Sequence, residues 1–585
     1  MRSLKNKFYQ SGYVLHIIIG VFLVVGFIIR LYYAQNLPIT NDESSYIYDT
    51  LNIRNGLIPL KDFLTKSLPF IYLLTLSQSI FGNSIIVGRL CMVLIALITS
   101  TAIFVLTRQM FNKKIAIIAG LTYWSFPLIA AYTTLVHTEP FQTLFVVISY
   151  IFLYKFGKTK NVYHLISASL AMAIAFFVRQ SSLVLILLPL IFDLLNNFIL
   201  KRKFKILSLY FVIVTSALIF IVTFVAYQYM GGAKTLELIG GGAVNLTIQA
   251  KSSLGWKELL LYPIKFALET IQEASNLFRD GLILSSFSFM TLVYWILGKN
   301  KKIKSKFNIY VTAFLLLIAI YSLYQFKYRL LSGLWDIDMI PHINLMSLVV
   351  LLTTLFFSHT EPRSFLSQLN SKIINSSQYL FQIVWVAVIF GIYIIWIKFR
   401  SPYLIEFFTP ITILFSTGLV IIYDDISLIS NAIYQKYAKI ILISFVSLAF
   451  ISSFLMNKYI YFTGLFLPSE VEEITTYLKT DSPGEDIVLT ALAIFPYLSG
   501  DEVIYNISHP AWYGYTNIPN DIFLLYFPPI EKVLEALEEK RVKFVIREPF
   551  TNDSYFGNKK MNKILEENYT SNKVIGRATI YKANE

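Results

Sequence analysis

The sequence predicts an α-helical polytopic membrane protein with about thirteen transmembrane helices and a small C-terminal α/β domain. Of its 585 residues, 56% are hydrophobic and only 15% are charged, whereas a soluble chain carries about a quarter of its residues as charges. The apolar residues form runs of roughly 20, which is the length an α-helix needs to cross a bilayer. Short clusters of Lys and Arg separate these runs, a distribution typical of cytoplasmic loops.

The first helix is predicted where a basic N-terminal segment leads into an apolar stretch. This stretch lacks a small-residue cleavage site, so it is interpreted as an anchor and not as a signal peptide. The predicted spans are 13–35, 84–106, 115–133, 138–156, 163–179, 183–200, 205–229, 281–298, 307–325, 336–357, 379–397, 405–423 and 438–457. With the N-terminus inside, the basic clusters fall in inside loops, so the net charge of +15 reflects topology and no binding of nucleic acid is expected.

An odd number of crossings from an inside start places the C-terminus outside the cytoplasm. Residues 1–457 are therefore predicted to form the membrane domain, and residues 458–585 an extracytoplasmic domain. From about Pro468 acidic residues become frequent and long apolar runs stop. Helices predicted at 469–480 and 530–540 alternate with strands at 486–492 and 542–547, which indicates a small α/β domain. Without a glycine-rich phosphate loop in its sequence, this domain is interpreted as a cap or an acceptor-docking module.

The first outer loop, residues 36–83, mixes acidic with aromatic residues. Helices lying in the membrane interface are predicted within it at about 43–55 and 66–81. Asp42 and Glu43 are adjacent carboxylates just beyond the first span. Mutual repulsion and apolar surroundings raise the pKa of such carboxyl groups, so one of the two is a candidate general base. The alternative is that Asn41 or Asp42 only caps the helix.

A second candidate is Glu139, which lies with His137 and Pro140 at the outer end of the third and fourth predicted spans. An ionisable residue at a membrane span is costly and usually faces a cavity or a charged partner. The sequence therefore favours a place for Glu139 near the bilayer surface beside the first loop. The alternative is a carboxylate that merely reaches the headgroup region.

A third candidate group consists of cations at predicted outer helix ends: Lys66, Arg179, Lys327 and Arg329. Lys and Arg residues are less frequent in outside loops than in cytoplasmic loops, so a cation at an outer helix end is a candidate for a specific role. If they converge on one cavity, they form an anion site suited to a phosphate or pyrophosphate, which Arg can bind through two hydrogen bonds. A single such Arg is more often a contact to a lipid headgroup.

These residues resemble the glycosyltransferases of the GT-C fold that use a lipid-phosphate-linked sugar, among them protein O-mannosyltransferases and aminoarabinose transferases. Short segments along the chain carry the resemblance: Asp42–Tyr46, Pro69–Tyr72, His137–Pro140, Phe177–Ser181 and Tyr328–Arg329. A layout of thirteen spans with a C-terminal α/β domain is similar to that of the aminoarabinose transferases in particular.

The resemblance implies a polyprenyl- or dolichyl-phosphate-linked monosaccharide as donor. It also implies a protein, lipid or glycan acceptor, inversion at the anomeric carbon, and a reaction on the outer face of the cell membrane. Asp42 would be the general base and Glu43 the second catalytic carboxylate. The residues implied to bind substrate are Tyr46, Lys66, His137, Glu139, Arg179, Lys327 and Arg329. No nucleotide sugar is needed, and the use of a divalent metal is left open.

The main alternative is a polytopic transporter or lipid flippase. Such proteins also combine many spans with buried charges, but they typically show internal repeats or paired broken helices near the middle of the membrane. The sequence shows no such repeat, which favours the enzyme.

Overall fold

The computed structural model describes residues 13–59, 61–63, 65, 67–200, 206–230, 377–395, 404–427, 432–456, 466–481, 486–507, 528–548 and 559–584. Most of the first part is a helical bundle. Its helices are α1 (Tyr13–Asn36), α2 (Asn41–Arg54), α3 (Leu68–Phe81), α4 (Ile85–Met110), α5 (Lys113–Ser125), α6 (Pro127–Thr134), α7 (Thr138–Thr159), α8 (Val162–Val178), α9 (Ser182–Leu200), α10 (Ile206–Met230), α11 (Ser377–Ile395), α12 (Leu404–Ile426) and α13 (Ala432–Met456).

Every predicted span that falls within the described residues is helical, although the third is broken into α5 and α6. Within the described residues, four helices are long and apolar enough to cross a membrane, and a fifth span results if the bent pair is one crossing. Several shorter apolar helices accompany them. The predicted spans 281–298, 307–325 and 336–357 lie outside the described residues, so the count of thirteen stays a prediction.

The break between α5 and α6 is a bend of 57° at Phe126 and Pro127. Proline lacks an N–H group and cannot continue the hydrogen bonds of the preceding helix. The fully buried Arg30 of α1 donates to the carbonyls of Tyr123 and Trp124 at 3.2 and 3.1 Å. It also donates to the Thr133 hydroxyl at 2.6 Å. Arg30 thus satisfies polar groups that the break leaves inside the bundle.

The two helices predicted in the first loop are α2 and α3. Thr40 is the N-cap of α2: its hydroxyl accepts a hydrogen bond from the Glu43 amide at 3.1 Å, and the Glu43 carboxylate accepts one from the Thr40 amide at 3.1 Å. This reciprocal capping box fixes where α2 begins. The cap is therefore Thr40, one residue ahead of the residues considered for capping from the sequence.

The C-terminal part contains a five-stranded mixed sheet of order β2-β1-β3-β5-β4. Its elements are α14 (Pro468–Asp481), β1 (Ile487–Leu489), α15 (Ile494–Ser499), β2 (Glu502–Val503), α16 (Ile530–Glu538), β3 (Phe544–Arg547), α17 (Lys559–Asn568), β4 (Tyr569–Ile575) and β5 (Ala578–Ala583). Strands β1, β2 and β3 are parallel, and β5 joins β3 and β4 antiparallel. The helices and strands predicted from about Pro468 are confirmed, while α17 and the β4–β5 hairpin were not predicted.

The C-terminal sheet domain is docked on the first loop of the bundle. The Ile494 amide, at the start of α15, donates to the Ser44 hydroxyl of α2 at 2.7 Å. The Val503 amide donates to the Tyr48 hydroxyl at 3.2 Å, and the Ile39 amide donates to the Phe466 carbonyl at 2.9 Å. One continuous hydrophobic core joins these elements to the bundle. Helix α2 is therefore held between the bundle and the domain, at what we call the domain-side end of the bundle.

Candidate active site

The carboxylates of Asp42 and Glu43 have different surroundings. Glu43 is fully buried and forms two hydrogen bonds of 2.9 Å with the Arg89 guanidinium of α4, which is also fully buried. The Val136 amide donates to the same carboxylate at 2.9 Å. The Asp42 side chain is only partly buried, in the first turn of α2.

Arg89 uses every one of its five N–H groups. Besides Glu43, it donates to the carbonyls of Ala34, Leu37 and Pro38 at 3.1, 2.8 and 3.0 Å. These carbonyls lie at and beyond the end of α1, where helical partners are missing. Arg89 therefore fastens the end of α1 to the start of α2. We call Arg89 and Glu43 the buried pair.

The buried pair keeps Glu43 ionised. Burial alone would raise the pKa of the Glu43 carboxyl, but the charge and hydrogen bonds of Arg89, with contributions from His137 and the Val136 amide, hold that pKa below its usual value. A carboxylate whose oxygens already accept these bonds is poorly placed to take a proton from a substrate. This leaves Asp42 as the better candidate base.

Tyr46 lies one turn after Asp42 on α2, where several candidate residues meet. Its ring packs edge-on against Phe70 of α3, with 5.4 Å between ring centroids. Burial raises the pKa of the Tyr46 phenol well above its usual value, and the charges of Asp42 and Glu139 raise it further, whereas Arg179 lowers it. Tyr46 therefore stays a neutral hydroxyl. The same influences place Asp42, Glu139 and Arg179 around one point at the domain-side end.

Arg179 is already engaged by two carboxylates. It ends α8 and forms ion pairs with Glu139, in the first turn of α7, and with Glu406 of α12, the latter at 3.3 Å. Glu139 and Glu406 are nearly buried, and the Arg179 side chain is 15% exposed. The Ser181 hydroxyl donates to Glu406 at 2.8 Å. We call Glu139, Arg179 and Glu406 the ion cluster. Its formal charge is negative, so Arg179 does not stand as an open anion site here.

His137 is buried immediately before α7, close enough to influence Glu43. Its Nε2 has no hydrogen-bond partner among the described residues. A buried polar atom without a partner is costly and asks for an explanation. His137 thus lies between the buried pair and the ion cluster with one ring nitrogen available to a ligand.

The other predicted substrate-binding residues, Lys66, Lys327 and Arg329, lie outside the described residues. Two residues of the site, Arg89 and Glu406, were not singled out from the sequence. Both are ionisable residues at or within predicted spans, a position that is itself a signal of function or of a buried partner. In the part of the chain that the structure describes, no group of three or more His, Cys, Asp or Glu side chains is placed to hold a metal ion.

Part of the chain that carries this site is similar in sequence to a known family. Residues 66–227 match the family of dolichyl-phosphate-mannose-protein mannosyltransferases. The matched segment includes Arg89, His137, Glu139 and Arg179, and it begins after Asp42. None of the curated proteins matches the chain.

The fold is that of solved GT-C glycosyltransferases. ArnT from Cupriavidus metallidurans in the apo state is 10% identical with a TM-score of 0.53, and its undecaprenyl phosphate complex is 11% identical with a TM-score of 0.52; each match covers 98% of both chains. An oligosaccharyltransferase from Archaeoglobus fulgidus is 12% identical with a TM-score of 0.51, over 99% of this chain and 75% of that one. At such identities the likeness establishes the fold, and the resemblance inferred from sequence is confirmed.

Proposed function

We propose that the chain is a membrane glycosyltransferase that transfers one monosaccharide from a polyprenyl- or dolichyl-phosphate-linked donor. The family match over residues 66–227 and the GT-C fold support this proposal. The acceptor is a protein, lipid or glycan at the domain-side end of the bundle. The ArnT structure with undecaprenyl phosphate supports a donor of this type. The family and fold favour this reaction over the transporter or flippase alternative.

Asp42 is the general base of the proposed reaction. It removes the proton of the acceptor hydroxyl or amine as that atom attacks the anomeric carbon, and the bond to the lipid phosphate breaks with inversion. The observation that supports the assignment is the difference between two neighbouring carboxylates of α2. Glu43 is fully buried and bound by Arg89, while Asp42 remains partly exposed. The capped and docked helix gives Asp42 a rigid support, as a catalytic group requires.

The lipid phosphate binds beside Arg179 in this proposal. The leaving phosphate gains negative charge as the sugar departs, and a guanidinium that contacts it lowers the barrier. Glu139 and Glu406 already neutralise Arg179, so the phosphate either replaces one of these carboxylates or is bound by further cations as well. Lys66, Lys327 and Arg329 are proposed to be these cations. His137 and Tyr46 are proposed to contact the sugar or the acceptor.

The domain-side end is proposed to be extracytoplasmic, as the distribution of basic residues suggests. Single cysteines at Glu535 in α16 and at Lys302 in a basic cluster, in a Cys91→Ala background, can be labelled on intact cells with an impermeant maleimide. We expect Glu535→Cys to react without lysis and Lys302→Cys to react only after lysis. The reverse pattern would invert the orientation.

The decisive experiment is a transfer assay with purified protein in lipid vesicles. Radiolabelled polyprenyl- and dolichyl-phosphate sugars are supplied together with total membrane lipid, protein or glycan fractions. We expect label to move from the lipid donor to one acceptor class, and to remain on the donor with the Asp42→Asn protein. Failure of the wild type to release sugar from any lipid-linked donor would contradict the proposed function.

A further inference from the structure

Beneath the ion cluster, α7 carries a buried amide with an unused polar atom. Gln142 is fully buried, and its Nε2 donates to the hydroxyls of Ser181 and Ser182 at 2.9 and 2.8 Å. Its Oε1 accepts no hydrogen bond within the described residues. Either orientation of the amide leaves one of its two polar atoms unpaired.

Helix α12, which packs against α7, presents matching groups. Thr409 follows Glu406 by three residues and Thr412 follows by six, so all three lie along one face of the helix. Both threonines are fully buried, and neither hydroxyl has a partner among the described residues. The Ser181 hydroxyl links the two helices, because it receives a hydrogen bond from Gln142 and donates one to Glu406.

Packing alone does not require these unpaired groups. Further along α12, the buried hydroxyls of Ser416 and Thr417 donate to the backbone carbonyls four residues earlier, at 2.7 and 2.8 Å. Thr409 and Thr412 do not use that arrangement, although burying a hydroxyl without a partner is unfavourable. The unused groups are thus concentrated in the half of α12 nearest the ion cluster.

The first turn of α12 is also loosely attached to the rest of the helix. Pro410 lies inside α12 and has no N–H to donate to the Glu406 carbonyl four residues before it. The turn that carries Glu406 can therefore shift relative to α7 with fewer backbone hydrogen bonds to break.

We propose that Gln142, Glu406 and Thr409 form the subsite that binds the hydroxyl groups of the donor's sugar. This inference rests on the proposed function. Sugar hydroxyls are both donors and acceptors, so the Gln142 oxygen and the Glu406 carboxylate accept from them, and the Thr409 hydroxyl does either. Arg179 contacts Glu406 at the edge of this subsite, which places the phosphate on the anomeric carbon next to the guanidinium.

The test compares lipids with and without the sugar. Binding of polyprenyl phosphate and of dolichyl phosphate, each bare or carrying mannose, glucose or galactose, is measured for purified wild type and for Thr409→Val in nanodiscs. The valine variant keeps the shape of the side chain and loses only the hydroxyl. We expect it to bind the best sugar-bearing lipid about tenfold more weakly, to bind the bare lipid as the wild type does, and to unfold at the same or a higher temperature.

Three further variants sharpen the result. Thr409→Ser keeps the hydroxyl and should retain the affinity for the sugar-bearing lipid. Thr417→Val removes a buried hydroxyl of the same helix that is already paired with a backbone carbonyl, and should change neither affinity. Gln142→Leu tests the second contact in the same way as Thr409→Val.

Equal losses for bare and sugar-bearing lipid, or no loss for either, would overturn the subsite while leaving the proposed function in place. A wild type that binds none of the lipids would overturn the proposed function together with the subsite. A selective loss with the sugar-bearing lipid alone supports the inference, because a purely structural threonine would not distinguish the two ligands.

Discussion

Two arginine-centred clusters lie at the domain-side end of the bundle, and they differ in how completely they are closed. In the buried pair, Arg89 and Glu43 are both fully enclosed, and all five guanidinium N–H groups have partners. In the ion cluster, Arg179 is partly exposed and is shared by two carboxylates from different helices. Near the second cluster, His137 and Gln142 each have a buried polar atom without a hydrogen-bond partner among the described residues.

We infer from this difference that the buried pair has a structural role and that the ion cluster is the better candidate for ligand binding. In the closed cluster every guanidinium N–H group is already paired, so none is available to a ligand. Removing one partner leaves a buried charge without its counter-ion. The open cluster has excess negative charge and lies beside polar atoms without partners among the described residues, which lowers the stability of the fold. Such unfavourable arrangements persist at functional sites. Asp42 stands between the two: its helix is fixed by the buried pair, and its side chain lies near the open cluster.

The largest expected effect is that of Asp42→Asn. Asparagine keeps the size of the side chain but cannot accept a proton, so loss of a general base should lower the transfer rate by about 10²- to 10⁴-fold. Donor binding and the unfolding temperature should stay near those of wild type. The control is Asp62→Asn, an exposed carboxylate of the same loop, which should leave the rate unchanged. Full activity in Asp42→Asn would remove Asp42 as the base.

The second prediction breaks the buried pair. Arg89→Ala leaves Glu43 buried without its cation, which typically costs about 3–5 kcal/mol of stability. We expect a large drop in the unfolding temperature of the purified chain, measured in detergent, with loss of activity following from loss of structure. Arg89→Lys restores the charge but not the five hydrogen bonds, and should recover only part of the stability. An Arg89→Ala protein as stable as wild type would show that the pair does not hold α2.

The third prediction opens the ion cluster. Arg179→Ala should weaken donor binding by about 2 kcal/mol, or roughly thirtyfold in KM, because the phosphate loses a cation. Its cost in stability should be smaller than that of Arg89→Ala, since the Arg179 side chain is partly exposed whereas Arg89 is fully buried. Arg179→Lys should recover part of the affinity for the phosphate-bearing lipid. Unchanged donor kinetics in Arg179→Ala would move the phosphate site elsewhere.

The sequence predicts where the helices of this fold begin and end better than it predicts which side chains of different helices contact one another. Apolar runs and turn residues locate α1 to α13 where described, because the bilayer demands long apolar helices. The same pattern does not show that the third span breaks at Phe126, since the fully buried Arg30 that satisfies the broken backbone comes from a different helix. The β4–β5 hairpin also escaped prediction, because its strands are partly exposed and contain polar residues, so no apolar run marks them.

For the candidate site, the sequence singles out Asp42, Glu43, Glu139 and Arg179 but does not assign their partners. Adjacent Asp42 and Glu43 suggest two similar carboxylates, and only the fold shows that one of them is taken by Arg89. Arg89 interrupts an apolar run, and this signal was available. Glu406 lies next to the predicted start of a span. A carboxylate at that position is expected to be an ordinary surface residue, so the sequence did not single it out.

The last prediction concerns a buried carboxylate of the C-terminal domain. Glu548, which follows β3, accepts hydrogen bonds from the Thr490 hydroxyl at 2.5 Å and from the amides of Ala491 and Leu492 at 3.1 and 3.2 Å. These residues precede the turn that docks on Ser44. Burial raises the pKa of Glu548 to about 7, against the opposing effect of these hydrogen bonds.

Because the folded pKa lies above the unfolded value of 4.5, the unfolded chain releases this proton first as pH rises. Stability should therefore fall between about pH 4.5 and pH 7 and stay level above that, by a total on the order of 3 kcal/mol or less. Glu548→Gln keeps an oxygen for the same hydrogen bonds and cannot ionise, so it should remove this fall and raise the unfolding temperature at pH 8. The surface variant Glu535→Gln should keep the wild-type profile. If Glu548→Gln instead lowers stability at pH 8, the hydrogen bonds from the Thr490 segment outweigh the cost of burying the ionised carboxylate, and folding does not raise the pKa of Glu548.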